Sequence, residues 1–241
     1  MRLLLLGGTS EARELAASLV ERGIDVTSSL AGRVAQPRLP VGKVRIGGFG
    51  GVSGLRLALA DYDAVVDATH PFAHGMSSNA ALACAAGDVP LLRLERPEWE
   101  PDPTWRYADT HEEAAVLAAG LGRRPFLTVG RQELFRFIPA MADLPVLARV
   151  VQAPELPLPE RWTLLTSRGP YSLVGERGIM AGHGSDVLVT KDSGGGYTWP
   201  KMRAAAELEV AVVVVRRAPG PSGVATVHTV DEAAAWVLEQ T

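Results

Sequence analysis

Residues 1–15 read MRLLLLGGTSEAREL. Four leucines, Leu3 to Leu6, run without a polar break into Gly7 and Gly8, and Thr9, Ser10 and Glu11 follow before a helical pattern begins. An apolar run of that length predicts a strand buried on both faces, as in a parallel sheet. A buried strand, a glycine turn and a helix are how a dinucleotide-binding unit opens. The G-x-G-x-x-G fingerprint is incomplete, since residues 7–12 read GGTSEA, with Thr9 in the third slot and Ala12 in the sixth. Two glycines still let the backbone turn sharply and approach a ligand. Thr9 and Ser10 add hydroxyls beside the amides of a helix start, which suits a pyrophosphate. The plainer counterpart is a tight turn closed by an N-cap threonine or serine.

The alternation continues along the chain. Short apolar runs predict strands at 2–6, 24–29, 43–46, 64–67 and 91–93, with helices at 11–22, 54–60 and 76–86 between most of them. A second series predicts strands at 126–129, 146–151, 162–166, 186–190 and 210–215, with helices at 132–138, 173–181 and 200–209. This is an α/β pattern with a parallel sheet covered on both faces. An internal echo divides it. THEEAAVLAAG begins at Thr110 and TVDEAAAWVLE at Thr229, each a threonine with glutamate three residues on, which is a capping box. Two halves closed by the same kind of helix predict two similar units, residues 1–122 and 123–241, joined at GLGRRP.

Composition narrows the functions. An apolar fraction of 47% over 241 residues supports a substantial core, and a net charge of −3 provides no general basic field for nucleic acid. Cys84 is the only cysteine, which rules out an intramolecular disulfide or a cysteine-based zinc site. The apolar runs are strand-sized, too short for a signal segment or a membrane span, so a soluble cytoplasmic protein is expected.

Ligands of open α/β sheets bind beyond the carboxyl ends of the strands. Those ends here read GGTSE, SSL with Arg33 close behind, GGFGG, ATHPFAH, GRQ, SRGPY and KDSGGG: small, polar or cationic at nearly every position. The second strand ends in Ser28 and Ser29 with no carboxylate for a ribose hydroxyl, while Arg33 offers a cation for a 2′-phosphate. That combination suits NADPH better than NADH. Three other constellations carry less. Tyr197 and Lys201 match the Y-x-x-x-K pair of short-chain dehydrogenases, but Pro200 belongs in the first turn of a helix and leaves Tyr197 outside it. His70 and His74 have metal-pair spacing, yet Pro71 disfavours helix at His70 and no third ligand is near, so no metal is expected. Ser167 lacks the G-x-S-x-G context of a nucleophile.

Read in order, LGGTSEAR, GGFGG, DATHPFA, SRGPY and TKDSGG followed by Lys201 resemble the precorrin-6A reductase family of cobalamin biosynthesis, over most of the chain. The resemblance implies two Rossmann-like units with the active site in a cleft between them. It implies hydride transfer from NADPH to the macrocycle of precorrin-6A, or of its cobalt-containing counterpart, giving the dihydro product. Under it, Gly7, Gly8, Thr9, Ser10, Glu11, Ser29, Arg33 and Thr69 line the cofactor, with His70, Pro71 and Phe72 at its nicotinamide end. Arg131, Ser167, Arg168, Gly169, Lys191, Asp192, Ser193, Gly194 and Lys201 face a substrate rich in acetate and propionate arms, with Arg203 as a further cation. Lys191, His70 or solvent supplies the proton. Transient contact with neighbouring pathway enzymes fits such an intermediate. A non-catalytic, nucleotide-responsive binding protein would keep the same glycine turns and stays open on the residues alone, as does a short-chain-dehydrogenase-like oxidoreductase using Tyr197 and Lys201.

Overall fold

The leucine run is buried on both faces because side chains alternate along a strand. Leu3 and Leu5 face one helical layer and Leu4 and Leu6 the opposite one, and all four are at most 1% exposed. The computed structural model describes residues 1–32 and 38–240. In chain order the elements are β1 (Arg2–Leu6), α1 (Ser10–Glu21), β2 (Asp25–Leu30), β3 (Lys43–Ile46), α2 (Gly51–Ala58), β4 (Ala64–Asp67), α3 (His74–Gly87), β5 (Leu91–Leu94), β6 (Arg106–Ala108) and α4 (His111–Leu121). They continue with β7 (Pro125–Thr128), α5 (Ile138–Met141), β8 (Leu147–Val150), β9 (Thr163–Thr166), α6 (Leu173–His183), β10 (Val187–Lys191), α7 (Pro200–Glu207), β11 (Ala211–Val215), β12 (Ala225–Val227) and α8 (Val230–Glu239). The stretch predicted as a helix at 132–138 is a 3₁₀ turn, Leu134–Phe137, running into the single turn of α5.

Two compact units result: Met1–Pro97 with Ala218–Thr241, and Glu98–Arg217. The first contains a parallel sheet in the order β3-β2-β1-β4-β5-β12, and the second a parallel sheet in the order β9-β8-β7-β10-β11-β6. Both follow the doubly wound dinucleotide-binding arrangement, with the order reversing beside the first strand. The division expected after residue 122 is therefore corrected. α4 opens the second unit, and the chain returns at Ala218 so that β12 and α8 finish the first. The echo between the two capped helices is real, because each follows the sixth strand of its own sheet. In the first unit that strand–helix pair comes last in the sequence, and in the second it comes first.

The caps form as their residues require. Thr229 accepts from the Glu232 amide while Glu232 accepts from the Thr229 amide, a complete capping box. Thr110 caps the Glu113 amide, but Glu113 reaches past it to the Asp109 amide. In the first unit α1 and α8 lie together on one face of the sheet, where Ala12, Leu15, Leu19, Ala233 and Val237 pack on Leu3, Leu5, Val26 and Val66. Leu15 and Leu19 are 0% exposed, and each contributes about 1.5–3 kcal/mol by leaving water. Leu55 of α2 and Ala80, Ala83 and Cys84 of α3 cover the other face. In the second unit Phe126, Leu188, Val212 and Val214 pack on Met180, Met202, Ala204 and Ala205.

Candidate functional site

In the first unit the chain order reverses between β1 and β4, so the turn after β1 and the loop after β4 lie side by side. Thr9 joins them. It is the N-cap of α1, accepting from the Ala12 amide at 3.1 Å, and its hydroxyl donates to the Ala68 carbonyl at 2.8 Å. That hydroxyl is engaged within the protein and ties the two loops together. Gly8 has φ of +118°, and a Cβ there would meet nothing within 4 Å, so the turn is open. The strain of that φ is what reserves the position for glycine.

The loop after β4 hangs on a buried ion network. Asp67 accepts from the Thr69 amide at 3.1 Å and the Thr69 hydroxyl at 2.7 Å through one oxygen, and from Arg93 at 2.8 Å through the other. Arg93 also donates to Ser77 and Glu95. The Asp67 and Arg93 side chains are only 3% and 4% exposed. In the DATHP motif the aspartate thus fixes the threonine, and the threonine fixes the turn into His70. His70 lies outside α3 and accepts the Phe72 amide at Nδ1, so as a neutral ring it carries its proton on Nε2. The Phe72 ring lies 5.9 Å from that of His70 and 5.8 Å from that of His74. The two histidines do not share a helical face. Among the described residues no cluster of three or more histidine, cysteine or acidic side chains is placed to hold a metal.

Glu11 and Ser10 stand at the start of α1, where the sequence places a phosphate. The Ser10 hydroxyl donates to Glu11, and both Glu11 oxygens accept from Arg96, at 3.1 and 2.9 Å. Burial pushes the Glu11 carboxyl up, but the Arg96 charge and the hydrogen bonds outweigh it and hold the group below its ordinary range. Arg96 thus neutralises a carboxylate that would otherwise repel an anion. Ser29 is likewise engaged, accepting from Arg45 at 2.9 Å, and the Arg45 guanidinium lies 3.7 Å over the Phe49 ring.

Beside the glycine turn lies a small cavity of about 10 Å³ lined by Gly7, Gly8, Arg13, Ser28, Leu30 and Arg38, among others. The Ser28 hydroxyl is buried with no hydrogen-bond partner among the described residues. The orphaned hydroxyl and two arginines thus line one space at the end of the second strand, where a doubly wound unit places its ribose contacts. Arg33, the cation read from the sequence, lies outside the described residues.

In the second unit the equivalent reversal falls between β7 and β10. Lys191 ends β10, and its Nζ comes within 3.7 Å of where a Cβ on Gly130 would sit. Burial lowers the Lys191 ammonium pKa, opposed by the charge of Glu133. Glu133 also approaches His111 at 3.7 Å and accepts from Arg136 at 2.8 Å. Asp192 organises the glycine loop that follows, accepting from the Gly194 amide at 3.1 Å and the Trp99 amide at 3.4 Å. Trp99 Nε1 donates to the Gly195 carbonyl, and Arg217 to the Asp192 carbonyl. Ser193 donates to the Lys191 carbonyl at 3.4 Å.

Other expected substrate contacts sit differently. Lys201, expected to contact the substrate, is buried. It is 3% exposed, with Nζ 5.5 Å over the Trp99 ring. Arg203 makes an exposed pair with Glu207 four residues on. Arg168 is exposed, and Gly169 is packed against the Tyr197 ring, where a Cβ would fall 2.7 Å from a ring carbon. Tyr197 lies outside α7, so the Y-x-x-x-K match has no shared helical face. The Ser167 carbonyl accepts from Tyr171, whose ring stacks on Arg149, itself paired with buried Glu176.

Two doubly wound units, one with an open glycine turn beside a small arginine-lined cavity, define a nucleotide-binding type of α/β protein. Residues 2–238 match the family described as "Precorrin-6x reductase CbiJ/CobK". A precorrin-6A reductase of Rhodococcus erythropolis is 48% identical, with 98% of this chain and 97% of that one covered. A cobalt-precorrin-6A reductase of Priestia megaterium is 31% identical over 89% of this chain and 90% of that one. A solved structure titled "CobK precorrin-6A reductase" superimposes with a TM-score of 0.90 and 36% identity, covering 100% of this chain and 97% of that one. The chain belongs to the precorrin-6x reductase family and is an oxidoreductase. Among the described residues no helix is long and apolar enough to cross a membrane.

Proposed function

We propose that the protein reduces the macrocycle of precorrin-6A, using NADPH, in cobalamin biosynthesis. The observation that carries this reading is the match to precorrin-6x reductases from residue 2 to residue 238. Bound NADPH would supply a hydride, and with one proton from the protein or solvent the macrocycle gains two hydrogens. The first unit provides the main cofactor contacts and the second the main substrate contacts. Gly7 and Gly8 let the backbone approach the pyrophosphate, and the α1 amides face it. Arg13 and Arg38 take the 2′-phosphate role with Arg33, next to Ser28. Thr69, His70, Pro71 and Phe72, held by Asp67, border the nicotinamide.

In the second unit, Arg131, Arg168 and Lys191 face substrate carboxylates, and the Gly194 backbone approaches the ring. Lys191 is the stronger candidate proton donor, because a desolvated ammonium parts with its proton more readily than an exposed one. His70 Nε2 is the second candidate. Substrate geometry carries most of the rate, since hydride transfer depends on close and aligned reactants.

The test is consumption of NADPH by the purified protein with and without precorrin-6A, repeated with NADH. Oxidation that needs the macrocycle and favours NADPH supports the reading. Nucleotide binding without oxidation would instead identify a nucleotide-responsive binding protein. The second comparison uses cobalt-precorrin-6A to decide between the two substrates.

A further inference from the structure

The two sheets share one strand order, so positions in one unit have counterparts in the other. β7 and β8 hold the places of β1 and β2. The small cavity of the first unit lies between the turn after β1 and the end of β2. Its counterpart lies between the segment after β7 and the long connection from β8 to β9, and there the structure has a cavity of about 350 Å³. That volume falls within the range of small-molecule sites.

The two cavities differ in chemistry as well as size. The first is lined by two glycines, a serine and two arginines together with Ala12, Leu30 and Pro40, none of them a large aromatic side chain. The second has a floor of Leu134, Phe135, Ile138, Leu156 and Leu158, with Arg131 at its edge. Phe135 is 51% exposed and Leu156 66% exposed, a concentration of large apolar side chains open to water. Arg131 Nη1 lies 3.5 Å from the Ala153 carbonyl, which leans the guanidinium across the rim, where exposed Glu155 also stands. A nucleotide does not suit this place. The segment after β7 begins as a 3₁₀ turn and ends in a four-residue helix, so it has no long helix start for a pyrophosphate.

We infer that this cavity takes one apolar edge of the tetrapyrrole-derived substrate, with Arg131 pairing with a carboxylate arm of that edge. The inference rests on the substrate reading proposed above. An alkylated ring edge matches the aliphatic floor, and an acetate or propionate matches the single arginine beside it. The duplicated unit has thus turned the counterpart of a nucleoside pocket into a subsite for the macrocycle.

The test is equilibrium binding of precorrin-6A, followed by its visible absorption without nicotinamide, on wild type, Leu156→Asp and Arg131→Gln. NADPH affinity and oligomeric state are measured on the same samples. Leu156 is largely exposed, so its replacement leaves the fold intact. Each variant is expected to weaken macrocycle binding about tenfold or more, as loss of a charge-assisted contact implies, with NADPH affinity unchanged. Wild-type affinity in both variants overturns the subsite while leaving the proposed activity standing. A Leu156→Asp protein that changes only its association state overturns it in favour of self-association. A wild type that neither binds nor reduces the macrocycle refutes the substrate reading and the subsite with it.

Discussion

Replacing Asp67 with alanine removes the group on which the loop after β4 hangs. Three donors lose their acceptor at once: the Thr69 amide, the Thr69 hydroxyl and Arg93. The pair is buried, so water cannot substitute, and breaking such a pair costs about 3–5 kcal/mol. Glu95 still accepts from Arg93 Nε, which places the expected loss near about 3 kcal/mol. At about 2–4 °C per kcal/mol for a chain of this size, melting falls by about 6–12 °C. Urea unfolding followed by circular dichroism measures the loss, and hydrogen exchange at residues 64–72 localises it. NADPH binding weakens in parallel, because the turn through Thr69 and His70 loosens. Asp25→Asn serves as a control, since its pair with Lys43 is exposed and its removal leaves the midpoint within error. A loss under about 1 kcal/mol in Asp67→Ala, with exchange at residues 67–72 unaltered, would refute the reasoning.

Lys191→Met is expected to stabilise the fold at neutral pH, by about 1 kcal/mol or more, while slowing turnover at saturating substrate. The folded-state pKa of Lys191 lies below 10.5, so the charged form is the penalised one. The advantage of methionine is full below the folded pKa and fades as pH rises from there through 10.5. Thermal melts across that range check the stability, and an unchanged kcat would exclude Lys191 as the essential acid. Arg38→Ala is expected to weaken NADPH about tenfold or more and NADH little, by titration with each; equal losses would remove its 2′-phosphate role. Burial, with Asp67 adding, pushes the Cys84 thiol up to about 11, so an alkylating reagent at pH 8 is expected to label the native chain far more slowly than the unfolded one. Rapid native labelling would contradict its place on the buried face of α3.

Much of the fold was legible because local chemistry decides it. Leu3 to Leu6 are apolar at every position since both faces of β1 are covered, and the strand appears with the bounds read from the sequence. The strand ends were legible for the same reason, as small residues where apolar runs stop. What sequence could not place was long-range partnership. Arg93 and Asp67 are 26 residues apart and Arg96 and Glu11 are 85 apart, and nothing in either segment announces the other. Thr9 and Ser29 look free in a string of letters, but both hydroxyls are engaged within the fold. Lys201 follows a proline at a helix start and reads as surface, yet the Trp99 ring that its ammonium lies over comes from a distant segment. The unit boundary was misplaced because β6 and β12 have only three residues each, too few to show periodicity. A signal was nonetheless present: each short strand directly precedes one of the two echoing capped helices, so the echo marked the sixth strand of each sheet rather than the close of a half.

The most direct test of the central claim follows the transferred hydrogen. Wild-type protein is given precorrin-6A and NADPH deuterated at nicotinamide C4, each stereoisomer in turn, and the product is weighed by mass spectrometry. One stereoisomer is expected to leave one deuterium in the dihydro product, and the other none. A reduced product without deuterium from either, or no product at all, would contradict hydride transfer from this cofactor to this macrocycle.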